Sequence, residues 1–210
     1  MHTDSVSEFE PSSPQDTLPS GGRVTFHYPD DPDRPDVEAF ISRSYLRAFE
    51  AKLSSFAPVL VALRDAQSTV IAAAGYRNAA ESQLFLERYL AAPVEHLLPV
   101  SPEDHAARAE IVEVGHLCAA RAGAGRSLSE WLALYLEATG FRWLLATLTD
   151  ELTQLYKRMG MKAIALQDVS ADAMGAEVSD WGHYYTHHPR VHAVPLRQAR
   201  EAIELRRGAH

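Results

Sequence analysis

The hydrophobic pattern divides the chain into segments of different period. In Arg23–Tyr28 apolar and polar positions alternate, which predicts a short strand, and the Pro- and Asp-rich stretch 29–36 interrupts it. Between Asp36 and Phe56 the apolar residues Val37, Phe40, Ile41, Tyr45, Phe49 and Leu53 recur at the spacing of one amphipathic helix. Pro58–Leu63 and Val70–Tyr76 are apolar runs joined by a polar turn, the signature of a hairpin. Residues 77–110 stay open: Asn78 with Glu81 fits a helix start, whereas Leu84-Phe85-Leu86 fits a strand.

Past residue 110 the pattern sharpens. Ile111–Ala119 reads as a buried strand, followed by the turn Arg121-Ala122-Gly123-Ala124-Gly125-Arg126. Ser127–Thr139 predicts a helix with Leu128, Trp131, Leu132 and Leu136 inward and Gly140 as its stop. Phe141–Leu148 is a second buried strand, Asp150–Met159 a helix ended by Gly160, and Ala163–Leu166 a further strand. This order predicts an α/β fold in which the first two strands of the unit run parallel.

The domain organisation follows from the ends. Residues 1–22 are rich in Ser, Pro and acid and bury too little apolar surface to offset their ordering entropy, so a disordered tail is expected there. One domain is expected over 23–200, with a C-terminal tail over 201–210. A length of 210 residues suits a single full-sized domain.

Charge changes the picture only once it is located. The formal net charge is −8, but residues 1–38 carry nine acids against Arg23 and Arg34, a net of −7, which leaves −1 for residues 39–210. Without a basic field, general nucleic-acid binding is not expected. The single cysteine, Cys118, excludes an intramolecular disulfide and reads as a small core residue. No secretory signal and no apolar run of membrane-spanning length is visible, so a cytoplasmic protein is the expectation.

Three features carry candidate chemistry. A strand leading through Gly123-Ala124-Gly125 into a helix is an anion site in waiting, because the first N–H groups of a helix have no internal acceptor. Arg121 and Arg126 flank it and can either pair with a phosphate or stay solvated. The Ser127-Leu128-Ser129-Glu130 capping box instead places the helix start after the glycines. Glu113 lies in an apolar strand, where burial raises a carboxyl pKa toward the range of a general base. Strict alternation turns His116 to the opposite face, so the two share a site only if a bulge intervenes. His183, His187, His188 and His192 have i,i+4 spacings, but Pro189 and the Tyr184-Tyr185 pair argue against the helix a metal site needs. No metal is expected. Trp181, beside Gly182 and two tyrosines, fits the wall of an acyl pocket.

The glycine turn and the later helix ending Leu155-Tyr156-Lys157-Arg158-Met159-Gly160-Met161 resemble the GNAT superfamily of N-acyltransferases. That family's pyrophosphate loop has the form (Gln/Arg)-x-x-Gly-x-(Gly/Ala), and Ala120 stands here where Gln or Arg is usual. A longer resemblance, over about residues 36 to 195, is to the bacterial family named for thermostable haemolysin, which is GNAT-like and related to acyl-homoserine-lactone (autoinducer) synthases. It is carried by Leu60–Asp65, Ala72–Arg77, Leu84–Leu90, Ile111–Leu117 and Trp181–Tyr185. His116 stands where that family commonly has Asn.

The resemblance implies a centrally splayed mixed sheet flanked by helices. It also implies transfer of an acyl group from acyl-CoA or an acyl carrier protein to a small-molecule amine, in secondary-metabolite or signal biosynthesis. The thioester is a co-substrate, and no permanently bound cofactor is expected. The catalytic residues implied are Glu113 as base, Tyr156 as the hydroxyl protonating the leaving thiolate, and His116. Arg121, Gly123, Ala124, Gly125 and Arg126 would hold the pantetheine phosphates, with Arg77 and Glu87 on the acceptor side and Trp181 against the substrate's acyl group. Arg121, Arg126, Lys157 and Arg158 suit an acidic carrier protein or a nucleotide diphosphate. The family name implies a rival, a membrane-active lysin, against which stands the lack of a basic amphipathic helix. A catalytically silent GNAT-like binding module is the third reading.

Overall fold

The computed structural model describes residues 18, 22–99 and 106–208. Apart from Leu18 and Gly22, the expected N-terminal tail lies outside the described residues, as do 100–105 of the open segment and the last two residues. A seven-stranded sheet forms the middle layer, built from β1 (Arg23–His27), β2 (Val59–Arg64), β3 (Val70–Asn78), β4 (Ile111–Ala119), β5 (Trp143–Leu148), β6 (Ile164–Asp168) and β7 (Arg190–Pro195). Their spatial order is β1-β2-β3-β4-β5-β7-β6, with every neighbouring pair antiparallel except β4–β5, which is parallel as expected.

Four helices cover the sheet: α1 (Arg34–Phe49), α2 (Ala124–Ala138), α3 (Asp150–Arg158) and α4 (Leu196–Gly208). α2 and α4 pack together over one core, which includes Leu128, Leu136, Leu144 and Ile203, all but sealed from solvent. α1 lies over a second core of Val37, Ile41, Leu60 and Ala73. A third gathers Leu84, Leu86, Val94 and Leu98 against β5 and β7.

α1 is shorter than the periodicity predicts. Glu50 takes a left-handed conformation (φ 57°) and returns its N–H to Leu46 O at 2.9 Å. Residues 51–57 then run on without helix, although Leu53 and Phe56 keep the apolar spacing and pack on the α1 core. Tertiary bonds replace the helix: Lys52 N–H donates to Asp180 O (2.6 Å) and His183 N–H to Phe49 O (2.8 Å). At the other end of α1, the buried Arg34 donates to the carbonyls of His27, Ala57 and Pro58 and to Glu38. One side chain thereby ties helix, first strand and hairpin together, and each of its three guanidinium nitrogens donates to a protein acceptor.

The segment left open resolves into neither of the long elements considered. Short 3-10 turns at Phe85–Tyr89, Val94–His96 and Arg108–Glu110 alternate with irregular chain. The ends also need correction. Leu18, inside the expected tail, is buried in the α2 core, and its N–H donates to Gly22 O. Residues 201–208, expected as a tail, continue α4 and bury Ile203 completely, because Ala199 and Ile203 repeat one turn apart on the face toward α2.

Candidate active site

The parallel pair at the centre of the sheet is brief. β4 and β5 share only three register pairs, Ile111 with Trp143, Val112 with Leu144 and Glu113 with Leu145, and beyond these the strands separate. A bulge marks the separation. Across β3, Gly75 faces Gly115 and Ala73 faces Cys118, so Ala74 stands opposite two residues, His116 and Leu117. His116 carries φ +56°, a costly value for a residue other than glycine. A cavity of about 120 Å³ opens between the diverging strands, walled by Glu113–Leu117 on one side and Ala146–Thr149 on the other.

Glu113, His116 and Tyr156 all line this cavity. The bulge reunites two side chains that strict alternation would hold apart. Glu113 is buried, and its oxygens accept N–H bonds from Phe85 (2.6 Å) and Leu86 (3.0 Å). Burial pushes its carboxyl up to about 7, against the opposing pull of those two N–H groups and of Arg77, its cross-strand partner. Burial drives His116 down to about 4, so it is a neutral ring at working pH, wedged between Tyr45 and Phe56. Its Nδ1 is buried without a partner and faces Gly75.

Tyr156 enters from α3, whose start is capped by the Thr149 hydroxyl accepting from Leu152 N–H. It is buried, hydrogen-bonds to the Ser129 side chain of α2, and burial raises its hydroxyl to about 12. The phenol therefore keeps its proton across the working range.

The glycine turn sits at the far end of β4. α2 begins at Ala124 rather than after Ser127, with Gly123 as its cap at φ +81°. That left-handed conformation is open to glycine at little cost and turns the strand directly into the helix. Among the described residues, the N–H groups of Gly125 and Arg126 have no acceptor, which leaves two main-chain donors free at this helix start. Arg121 and Arg126 are already paired, with Asp65 (2.6 Å) and Glu130 (2.8 Å), and neither lines the cavity.

Of the two acceptor-side candidates Arg77 lines the cavity and Glu87 does not, and Trp181, the acyl-pocket candidate, lines it as well. Glu87 holds Arg108 (2.7 and 3.1 Å) and accepts the Leu84 and Val94 N–H groups. Burial alone would raise its carboxyl, but these bonds outweigh it and the pKa is lowered. Its position is that of a brace for the 84–95 chain. The four histidines are spread out: His183 faces Glu50, His187 Glu151 and His188 Asp150, while His192 is buried in β7. Burial raises the Cys118 thiol to about 11.

Sequence reasoning missed the cover of the cavity. Residues 171–187 form short 3-10 turns, Ala171–Trp181 broken by a kink at Gly175 (φ +54°) and Tyr184–His187, which lay Trp181 and Tyr184 over the cavity with Phe49, Phe85 and Tyr89. The aromatic density of Trp181-Gly182-His183-Tyr184-Tyr185 was the available signal. Its position relative to α1 was not.

A mixed sheet whose two central parallel strands part around a cleft, with a glycine turn and a helix start beside it, defines a GNAT-like single-domain fold. The same fold is seen in the acyl-homoserine-lactone synthase LasI, with a TM-score of 0.59 at 11% identity over 87% of this chain and 94% of that one. TofI in its apo form gives 0.57 at 19% identity, over 87% and 96% of the two chains. FeeM, an N-acyl amino acid synthase from uncultured soil microbes, gives 0.56 at 15% identity, over 90% and 99%. No curated protein matches by sequence. The model of the thermostable hemolysin family matches residues 27–200, and the chain belongs to that family.

Proposed function

We propose that this protein is an acyltransferase that moves an acyl group from a pantetheine thioester, acyl-CoA or an acyl carrier protein, to the amine of a small molecule. The observation that carries the reading is the placement of Glu113 and Tyr156 on one cavity at the point where β4 and β5 part. Acyl-homoserine-lactone and N-acyl amino acid synthases of the same fold support it.

The thioester arm would lie along β4 beyond Glu113, where that strand has no β5 partner and its main-chain groups are free toward the cleft. A carbonyl oxygen there is polarised by strand N–H groups held in place before reaction. The phosphates would reach the Gly123–Arg126 helix start. A carboxyl with a pKa of about 7 is ionised in about half the molecules at neutral pH, and takes the amine proton directly or through one water. The amine nitrogen bonds to the carbonyl carbon, the C–S bond breaks, and the Tyr156 O–H protonates the leaving sulfur. Passage of the proton from Glu113 back to the Tyr156 oxygen through solvent restores both groups, so the net proton transfer is from amine to thiol.

The test is thiol release from acyl-CoA and acyl-carrier donors of varied length in the presence of mixed amines, run beside red-cell lysis with the same pure protein. Amine-dependent thiol release without lysis is expected. Lysis at low concentration, with no thiol released from any donor, would replace the reading with the lysin. Among the described residues no helix is long and apolar enough to cross a membrane, and the large exposed apolar side chains, Tyr28, Leu46, Val178 and Leu205, sit on separate elements.

A further inference from the structure

The cavity is small for a site that has to admit an acyl chain. Its volume of about 120 Å³ is below the ~150 Å³ of an engineered cavity that takes up one benzene. That is less than six ring carbons need, room for about five, with nothing left for a long tail.

Its walls are aromatic and locked. Trp181 stands 5.7 Å from Phe85 and 5.2 Å from Tyr184, and Tyr184 meets Phe49 edge-on at 5.2 Å and 86°. The opposite end is closed by Tyr45, Phe56 and the His116 ring between them. Hydroxyl contacts hold the rings, Tyr184 to Thr147 O (3.5 Å) and Tyr89 to Tyr185 (3.0 Å).

The main chain fixes Trp181 on both sides. Asp180 O accepts from Lys52, and His183 N–H donates to Phe49 O. Between them Gly182, at φ +51°, lies so close to the backbone of Phe49 and Glu50 that a Cβ would collide with it. The main chain that carries Trp181 is therefore pinned, and the indole itself is held by its packing against Phe85, Tyr184 and Tyr185.

Resting on the acyl-transfer reading, we infer that Trp181 is the size gate of the acyl pocket and restricts the donor to short acyl groups of about two to five carbons, branched ones included. Within that limit each added methylene strengthens binding roughly fourfold. Beyond it the chain overpacks a wall that does not yield, and affinity drops by roughly tenfold or more.

The experiment measures binding by calorimetry for acetyl-, butyryl-, hexanoyl-, benzoyl-, decanoyl- and dodecanoyl-CoA, and for the same acyl groups on pantetheine. It uses the full chain, Trp181→Ala and the milder Trp181→Leu, with ligand-free melting curves establishing that each variant is folded. In the wild type, affinity should rise from acetyl to butyryl and fall by decanoyl, and benzoyl should bind more weakly than butyryl. Both variants should move the optimum to longer chains, Ala further than Leu. Equal binding across lengths, or tightest binding of decanoyl or dodecanoyl by the wild type, would overturn the size gate while leaving acyl transfer in place. Absence of binding in both series, together with absence of thiol release, would overturn both.

Discussion

Replacing Glu113 by Gln tests the base through stability, independently of any substrate. In the folded chain the carboxyl titrates at about 7 against an ordinary value of 4.5, so the native state holds this proton more tightly than the unfolded chain does. The contribution of such a group is fully present below the unfolded value and is lost as pH rises through the folded one. At about 1.4 kcal/mol per unit, the complete loss is about 3 kcal/mol, of which less than about 1 is spent by pH 5. Gln is neutral like the protonated acid and does not titrate; its one oxygen can accept from only one of the Phe85 and Leu86 N–H groups, a loss that is the same at every pH. The stability of Glu113→Gln relative to wild type should therefore improve by about 2 kcal/mol between pH 5 and pH 8. For a chain of this size that is a relative shift in melting temperature of about 4–8 °C. Thermal melts of both proteins at the two pH values are the assay. A difference that does not change with pH would refute the raised pKa and remove Glu113 as a base poised near neutrality.

Tyr156→Phe should leave melting within about 1 kcal/mol of wild type, since one hydrogen bond to Ser129 is lost, and slow thiol release by roughly 10²-fold or more. An unchanged rate would assign the phenol to packing. Gly123→Ala forces a Cβ into a left-handed residue at φ +81° and should cost about 1–2 kcal/mol in denaturant unfolding. It should also raise KM for the donor more than it lowers kcat; a change in kcat alone would take the phosphate away from this turn. Deletion of residues 1–22 removes the buried Leu18 and should cost about 2 kcal/mol in the same measurement, and an unchanged midpoint would show that Leu18 contributes nothing.

The strands and helices between 111 and 168 were legible because each has a single clear period and ends at a turn signal. Gly140 and Gly160, both left-handed in the structure, follow α2 and α3 closely. Where two signals competed, the nearer one lost. The capping box at Ser127 placed the helix start late, whereas Gly123 turns the chain into α2 directly and the Ser129 hydroxyl bonds to Gly125 O. The end of α1 was overrun because Glu50 takes a left-handed conformation with no glycine to announce it, and Leu53 and Phe56 keep the apolar spacing for another purpose. Glu113, Tyr156 and Trp181 stood out as a carboxylate in an apolar strand, a family motif and an aromatic cluster, yet Glu87 stood out equally and is a brace.

By itself the sequence determined what each segment can bury: a parallel pair of apolar strands, a glycine turn between strand and helix, and a carboxylate that must find partners in a dry strand. Periodicity and polarity are properties of neighbouring residues, and they are visible without a fold. Only the tertiary structure decided how long β4 and β5 stay together, that the bulge at His116 turns Glu113 and His116 onto one cavity, and that residues 171–187 close it. Those outcomes depend on bonds between residues far apart in the chain, Lys52 with Asp180, Phe49 with His183, Glu113 with Phe85 and Leu86, whose geometry no local pattern contains.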